Sequence, residues 1–156
     1  MKLMIDGSLG HMDFSAAHFI PTIEKCAHLH GHNYYVNVEV EGDPEEGVLM
    51  DYGILKSLMR KAIEPLDHRI LVPEHSGFST CKIDGEVCLV AYAGKKFQFP
   101  VSDVYLLDRE MSSSELLSRS ILEKTEKEIF RHGNIRRFEV CVYESPGQGA
   151  CSEVSR

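Results

Sequence analysis

The sequence predicts an α+β fold, in which an antiparallel sheet is covered on one face by two helices. Two observations lead to this prediction: segments of alternating apolar and polar residues, typical of half-buried strands, and two segments with apolar residues at helical spacing. The predicted order is strand, strand, helix, extra strands, helix, strand, with hairpin-like links between neighbouring strands. Neither a repeat nor a long linker divides the 156 residues, so we predict a single domain over residues 1–156.

The clearest strand is predicted over residues 33–41, where every second residue is apolar. Continuing the same parity backwards places His32 and His30 on the apolar face of this strand. A last strand with the same alternation is predicted over residues 137–144.

Two helices are predicted from apolar residues at three-to-four spacing. The first covers residues 54–63, with Asp51 as its N-cap and Pro65 as the residue that ends it. The second begins within residues 112–115 (SSSE), which have the spacing of a capping box, and Gly133 closes it.

Residues 78–108, between the two helices, are predicted to add strands, with hairpin turns at Asp84-Gly85 and Gly94-Lys95. The first turn would place Cys81 opposite Cys88, within reach of a disulfide. We favour the alternative that both are reduced packing residues, because five cysteines at irregular spacing do not resemble a secreted disulfide framework.

The composition excludes several classes of protein. Hydrophobic residues make up 43% and charged residues 26%, which is typical of a folded globular domain. A net charge of −7 argues against a nucleic-acid coat or a membrane-surface role, since both require a positive field. Neither a signal peptide nor a membrane span is recognised in the sequence, so we expect a cytoplasmic protein.

A cluster of histidines carries the strongest chemical signal. His28, His30 and His32 alternate within eight residues, CAHLHGHN, and therefore share one side of a strand. Two of them, with His18 as the third ligand, could hold a zinc ion and leave one coordination position open, as catalytic zinc sites do. Periodicity alone leaves open which two bind, and the alternative is a set of histidines satisfied only by hydrogen bonds.

Three further groups are candidates for proton transfer or substrate binding. Cys26 lies close enough in sequence to His30 to serve as a thiolate proton acceptor, or is an inert buried cysteine. Asp67-His68 could act as an oriented acid–base pair, or is a solvated turn pair. Glu144 follows the apolar parity of the last strand, where its carboxylate could accept two parallel N–H donors of a guanine-like edge; a surface glutamate is the alternative.

These residues resemble one known family, the 6-pyruvoyl-tetrahydropterin synthase and 6-carboxy-tetrahydropterin synthase family. The resemblance implies a tunnelling fold, in which a four-stranded antiparallel sheet carries two helices, and assembly into trimers or hexamers with sites between subunits. The matching segments, in chain order, are Phe14-Ser15-Ala16-Ala17-His18, Cys26-x-x-x-His30-Gly31-His32-Asn33-Tyr34, Val48-Leu49-Met50-Asp51-Tyr52, Leu66-Asp67-His68 and Val142-Tyr143-Glu144.

The resemblance also implies a role for each matching residue. It implies zinc as the cofactor and leaves His28 as a non-ligand. The implied roles are zinc ligation by His18, His30 and His32, catalysis by Cys26 with the partner pair Asp67 and His68, and pterin binding by Glu144 with Ser113 and Ser114. Against the compact members of the family, residues 74–108 are an insertion.

The spacing suggests one branch of the family. Three residues separate Cys26 from His30, which resembles the carboxy-tetrahydropterin branch, and Ala27 stands where an acid would indicate hydroxymethylpterin formation. The implied reaction converts 7,8-dihydroneopterin triphosphate to 6-carboxy-5,6,7,8-tetrahydropterin, releasing acetaldehyde and triphosphate on the route to queuosine or archaeosine. The alternatives are elimination of triphosphate alone, which gives the pyruvoyl product, and a protein that binds zinc or pterin without catalysis.

Overall fold

A computed structural model describes all of residues 1–156. The chain forms ten strands and three α-helices. The strands are β1 (Lys2–Ile5), β2 (Asp13–His18), β3 (His30–Gly42), β4 (Arg69–Pro73), β5 (Ser79–Asp84), β6 (Val87–Tyr92), β7 (Lys95–Pro100), β8 (Val104–Leu107), β9 (Ile135–Ser145) and β10 (Gln148–Ser155), and the helices are α1 (Gly7–Gly10), α2 (Tyr52–Ile63) and α3 (Ser114–Ile129). None of the helices is long and apolar enough to cross a bilayer.

Seven strands form the main sheet, in the order β10-β9-β3-β2-β4-β8, with β1 also paired to β3. The four strands β10, β9, β3 and β2 are antiparallel, which confirms the predicted α+β class. The sheet extends beyond them, because β4 pairs parallel to β2, and β8 parallel to β4. Strands that pair in parallel must be joined by a long crossover connection. Here α2 lies in the connection from β2 to β4, and the insertion lies in the connection from β4 to β8. The sequence analysis considered only hairpin-like links between neighbouring strands, so it did not predict these parallel pairs.

The helices α2 and α3 and one face of the main sheet enclose the principal core. The parity predicted for β3 is confirmed, since alternate residues from Tyr34 to Val40 are buried. Asp51 caps α2 as predicted, with its carboxylate accepting a hydrogen bond of 3.0 Å from the Ile54 amide. The helices α2 and α3 therefore cover the face of β3 that carries His30 and His32.

The capping-box prediction for α3 was wrong by one residue. The N-cap is Ser113, not Ser112, and Ser113 makes no side-chain capping bond. Ser112 is fully buried, and its hydroxyl donates to the Phe19 carbonyl at 3.1 Å. Because the Ser112 hydroxyl is bound to this carbonyl, it does not cap the helix. The spacing of residues in the sequence does not reveal this contact.

Within the insertion, β5, β6 and β7 form a separate three-stranded sheet, whereas β8 joins the main sheet. Both predicted turns of the insertion are shifted by one residue. The first loop is Gly85-Glu86, because a glycine with φ of 61° suits the first central position of a two-residue hairpin. Cys81 therefore faces Val90 rather than Cys88. The two thiols lie diagonally, with their sulfur atoms 3.3 Å apart, and both are free, as we favoured.

Strand β10 was missed by the sequence analysis. It follows a two-residue turn, Pro146-Gly147, in which Gly147 has a positive φ of 78°. That Pro-Gly pair was the available signal. The hairpin places Cys141 directly opposite Cys151, and the two form a disulfide.

Loss of this disulfide is expected to destabilise the protein measurably. The bond joins cysteines separated by 10 residues, and in the chain-entropy account a loop of that length contributes about 3 kcal/mol. The free energy of unfolding in urea should therefore fall by about 3 kcal/mol in Cys151→Ser, whereas Cys81→Ser, which removes a free thiol, serves as the control. Equal midpoints for wild type and Cys151→Ser would show that the bond does not stabilise the fold.

Candidate metal centre

Three imidazoles converge at the end of the β2–β3 pair. His18 ends β2 and is directly opposite His30, which begins β3, and His32 lies two residues further along the same face. The ring centroid of His18 lies 4.5 Å from that of His30 and 5.1 Å from that of His32. One nitrogen of each ring lies within 4.8 Å of the others, so the three could share a single cation.

Backbone carbonyls orient two of these rings. His18 Nδ1 lies 2.8 Å from the Ser112 carbonyl oxygen, and His30 Nδ1 lies 2.6 Å from the His28 carbonyl oxygen. A carbonyl only accepts, so each Nδ1 carries a proton, and in the neutral ring this tautomer leaves the Nε2 lone pair for a metal. Histidine ligands of metals in proteins typically have such a partner on the other ring nitrogen.

The chemistry of this cluster fits a zinc ion. The Nε2 atoms of His18 and His32 are buried without any hydrogen-bond partner, an arrangement that is costly unless a ligand satisfies them. Burial, aided by the two neighbouring imidazoles, lowers the pKa of His18 to about 4 although the Ser112 carbonyl opposes the shift. The neutral imidazole that metal ligation requires is therefore the stable form at neutral pH.

His28 does not belong to the cluster. It precedes the first residue of β3, so the strand parity that the sequence suggested for it does not apply. Its side chain lies on the surface, with Nδ1 3.4 Å from the Lys95 ammonium. The start of β3 therefore separates His28 from the other two histidines of this segment.

Tyr34 and Glu144 lie beside the three imidazoles. The Tyr34 ring makes edge contacts with His18 and His32, at centroid distances of 5.9 Å and 5.4 Å. Its hydroxyl is buried without a partner, and burial, with the Glu144 charge, raises its pKa. Glu144 Oε2 lies 4.0 Å from His32 Nε2, and 27% of the Glu144 side chain is exposed. This carboxylate therefore stands at the accessible margin of the cluster.

Cys26 lies in the loop between β2 and β3, four residues before His30. It is a free, half-buried thiol. Its own carbonyl accepts a hydrogen bond of 2.8 Å from the Ile20 amide, which closes the loop on itself. The loop leads directly from one imidazole of the cluster, His18, to the next, His30.

Asp67 and His68 form the predicted carboxylate–imidazole contact, with Asp67 Oδ2 2.9 Å from His68 Nδ1. Partial burial opposes ionisation of Asp67, but the Ser15 amide, at 2.8 Å, and the His68 imidazole hold its pKa below the usual value. The pair makes no hydrogen bond with the three imidazoles. His68 lines a groove of about 540 Å³ together with Ser15 and Asn33, whose side chains alternate to the opposite face of the sheet from the cluster, and with His32 of the cluster itself.

Ser113 is the N-cap of α3 and Ser114 its first residue. They are half-buried and follow Ser112, whose carbonyl orients His18. The Ser114 hydroxyl donates to the Glu115 carboxylate at 3.4 Å. The sequence analysis missed that Ser112 orients His18, because the contact is made by the backbone carbonyl, which every residue type carries.

Comparison with known proteins gives a consistent result. The sequence model of the family described as 6-pyruvoyl tetrahydropterin synthase matches residues 10–154. A protein of Methanocaldococcus jannaschii, provisionally named 6-carboxy-5,6,7,8-tetrahydropterin synthase, is 28% identical over 155 residues, covering 97% of this chain and 95% of that protein. A protein of Pyrococcus abyssi with the same provisional name is 31% identical over 137 residues, 86% of this chain and 81% of its own.

A solved structure is similar over the whole chain. A variant of Plasmodium vivax 6-pyruvoyltetrahydropterin synthase, with a catalytic residue replaced, superposes with a TM-score of 0.89 at 26% identity. The match covers 100% of this chain and 98% of that one, so the insertion lies within the matched length.

Proposed function

Because this chain belongs to the 6-pyruvoyl tetrahydropterin synthase family, we propose that it is a zinc-dependent enzyme that acts on a pterin triphosphate. The substrate proposed is 7,8-dihydroneopterin triphosphate and the product 6-carboxy-5,6,7,8-tetrahydropterin, formed with release of acetaldehyde and triphosphate. The observation that carries the proposal is the cluster of the buried His18 with the half-buried His30 and His32, in which the Nε2 atoms of His18 and His32 lack any partner.

The three imidazoles of His18, His30 and His32 would hold the metal, and the substrate would approach it from the accessible margin of the cluster. A zinc ion held there supplies Lewis acidity, which makes protons beside a polarised carbon easier to remove. The chain's own contribution is to present three converging imidazoles, with the Ser112 and His28 carbonyls holding two of the rings. Glu144, at the margin of the cluster, binds the paired N–H donors of the pterin edge and so orients the substrate.

Two groups move protons in this proposal. The Cys26 thiolate accepts a proton from the substrate side chain. His68, whose Nδ1 is bound to Asp67, exchanges a proton through its free Nε2. Because the Asp67–His68 pair makes no hydrogen bond with the three imidazoles, we propose that it serves the site of a neighbouring subunit. This arrangement requires a homo-oligomer, a trimer or a hexamer of two trimers.

The branch of the family is supported by the names of two relatives. The similar proteins of Methanocaldococcus jannaschii and Pyrococcus abyssi carry the carboxy-tetrahydropterin name, and the three-residue spacing from Cys26 to His30 agrees with that branch. The second candidate is triphosphate elimination to the pyruvoyl product, which is favoured by the full-length similarity to the Plasmodium vivax protein.

Product identification distinguishes these candidates. Zinc-loaded protein incubated with 7,8-dihydroneopterin triphosphate should yield the mass of 6-carboxy-tetrahydropterin together with acetaldehyde. The pyruvoyl mass without acetaldehyde would establish the second candidate. Retention of unchanged substrate by fully loaded protein would support a binding protein without catalysis.

Replacement of Glu144 tests the substrate contact. Glu144→Gln exchanges one acceptor oxygen for an N–H₂ group, which faces the donors of the pterin edge instead of accepting from them. We expect KM to rise by about tenfold to a hundredfold, with a smaller change in kcat. Glu153→Gln, the same change at an exposed position on β10, should leave both constants unchanged. An unaltered KM for Glu144→Gln would remove its role as the pterin contact.

A further inference from the structure

The insertion sheet contacts the loop that carries Cys26 at two places. We call residues 19–29, between β2 and β3, the thiol loop. At its start, the Phe19 ring stacks on Tyr92 of β6, with centroids 3.9 Å apart and planes inclined by 4°. Near its end, the Lys95 ammonium of β7 donates a hydrogen bond of 2.8 Å to the Ala27 carbonyl. The insertion therefore touches the loop next to His18 and again next to Cys26.

Three successive carbonyls of the thiol loop each receive a different donor. The Cys26 carbonyl accepts from the Ile20 amide at 2.8 Å, and the His28 carbonyl is 2.6 Å from His30 Nδ1. Between them, the Ala27 carbonyl accepts from Lys95. Lys95 thus holds Ala27, the residue between Cys26 and His28, whose carbonyl orients a proposed zinc ligand.

The hairpin that carries Lys95 is well suited to hold it in place. The turn between β6 and β7 is Ala93-Gly94, with φ of 46° and 75°, so the two strands close in a two-residue loop. Tyr92 and Lys95 are opposite each other across this turn, and the Lys95 ammonium lies 5.9 Å from the Tyr92 ring centroid. Tyr92 is itself 4% exposed. The Lys95 ammonium is therefore held between the tight turn of this hairpin and the buried Tyr92 ring.

We propose that Lys95 is a positioning residue, through which the insertion holds the Cys26 thiol in its place for proton transfer. This inference rests on the proposed function, in which Cys26 transfers a proton. It assigns a purpose to residues 74–108, because the insertion supplies the donor that the thiol loop lacks. Catalytic groups displaced by about 1 Å lose up to about a hundredfold in rate, so one anchoring contact is sufficient to affect turnover.

The test replaces the ammonium and measures two independent properties. Lys95→Met should lower kcat by about tenfold or more with little change in KM, and Lys95→Arg should restore part of the loss. Independently of any activity, iodoacetamide should alkylate Cys26 at least about fivefold faster in Lys95→Met, since a loosened loop exposes the thiol. Alkylation is followed on the Cys26 peptide by mass spectrometry, so Cys81 and Cys88 do not interfere.

Lys96→Met is the matched control. Lys96 is the next residue of β7, carries the same charge and is exposed, and its side chain makes no hydrogen bond or ion pair. It should leave kcat and the alkylation rate at wild-type values. An unchanged alkylation rate in a folded Lys95→Met protein would overturn the anchoring contact.

The effect of Lys95 on turnover can be tested separately from its anchoring contact. Faster alkylation combined with wild-type kcat in Lys95→Met would overturn the positioning role, provided that Cys26→Ala abolishes turnover. Full turnover in Cys26→Ala would overturn the proton-transfer role of Cys26, and the positioning role with it, whereas the absence of any turnover in the wild-type protein would overturn the proposed function. In either case the alkylation rates would still decide whether Lys95 anchors the loop.

Discussion

Cys26→Ala should lower kcat by about a hundredfold to ten-thousandfold, the range that a well-placed acid or base contributes. The thiol lies in the loop that joins two of the three clustered imidazoles, yet it is not one of the three ligands of the proposed metal site. We therefore expect the variant to bind one equivalent of zinc and to unfold at the wild-type temperature. Steady-state turnover of 7,8-dihydroneopterin triphosphate, metal analysis and a thermal melt provide the three measurements.

Cys81→Ala is the matched control for this experiment. Cys81 is also a free, half-buried cysteine, but burial, together with Cys88, raises its pKa to about 12, so it is a neutral thiol at physiological pH. Its removal should leave kcat unchanged. Undiminished turnover in Cys26→Ala, with zinc bound, would show that the reaction uses another base.

His30→Ala should weaken zinc binding by more than about a hundredfold, because only two of the three proposed ligands remain. This loss exceeds the tenfold to about a hundredfold that is typical when only a residue hydrogen-bonded to a ligand is replaced. Since zinc bound only to the folded state stabilises it, saturating zinc should raise the unfolding temperature of wild type but not of the variant. Competition with a chromophoric chelator measures the affinity, and a thermal melt with and without chelator measures the stabilisation.

His28→Ala provides the control within the same short segment. The sequence alone places His28 on equal terms with His30, whereas in the structure it lies outside β3 with its ring beside Lys95. We expect His28→Ala to keep wild-type zinc affinity and thermal stabilisation. Equal loss in both variants would mean that the metal is held differently from the three-imidazole cluster, and normal binding in His30→Ala would exclude that cluster as the zinc site.

Local patterns were sufficient for much of the fold. The alternation over residues 33–41 predicts a strand with one buried face, and that face is buried in the structure. The helix after Asp51 begins at the predicted N-cap, because a carboxylate followed by amphipathic spacing acts within one turn of chain. The histidine-rich segment likewise indicated a metal site, since residues two apart on a strand share a side.

Short-range rules misplaced the features that depend on register. Both insertion turns moved by one residue, and the Cys81–Cys88 pair changed from directly opposite to diagonal. A slip of one residue changes the partner of every side chain in a hairpin, and the position of the glycine within the turn decides between the two registers.

The sequence by itself determined the α+β class, the parity of the central strand and the set of residue types able to bind zinc. Only the tertiary structure decided which histidines meet, because that depends on where β3 begins and on its pairing with β2. It also decided that the Ser112 carbonyl orients His18 and that Lys95 reaches the Ala27 carbonyl, 94 and 68 residues apart in the chain, respectively. Contacts of that kind join backbone atoms to distant side chains, so neither residue identity nor local spacing encodes them.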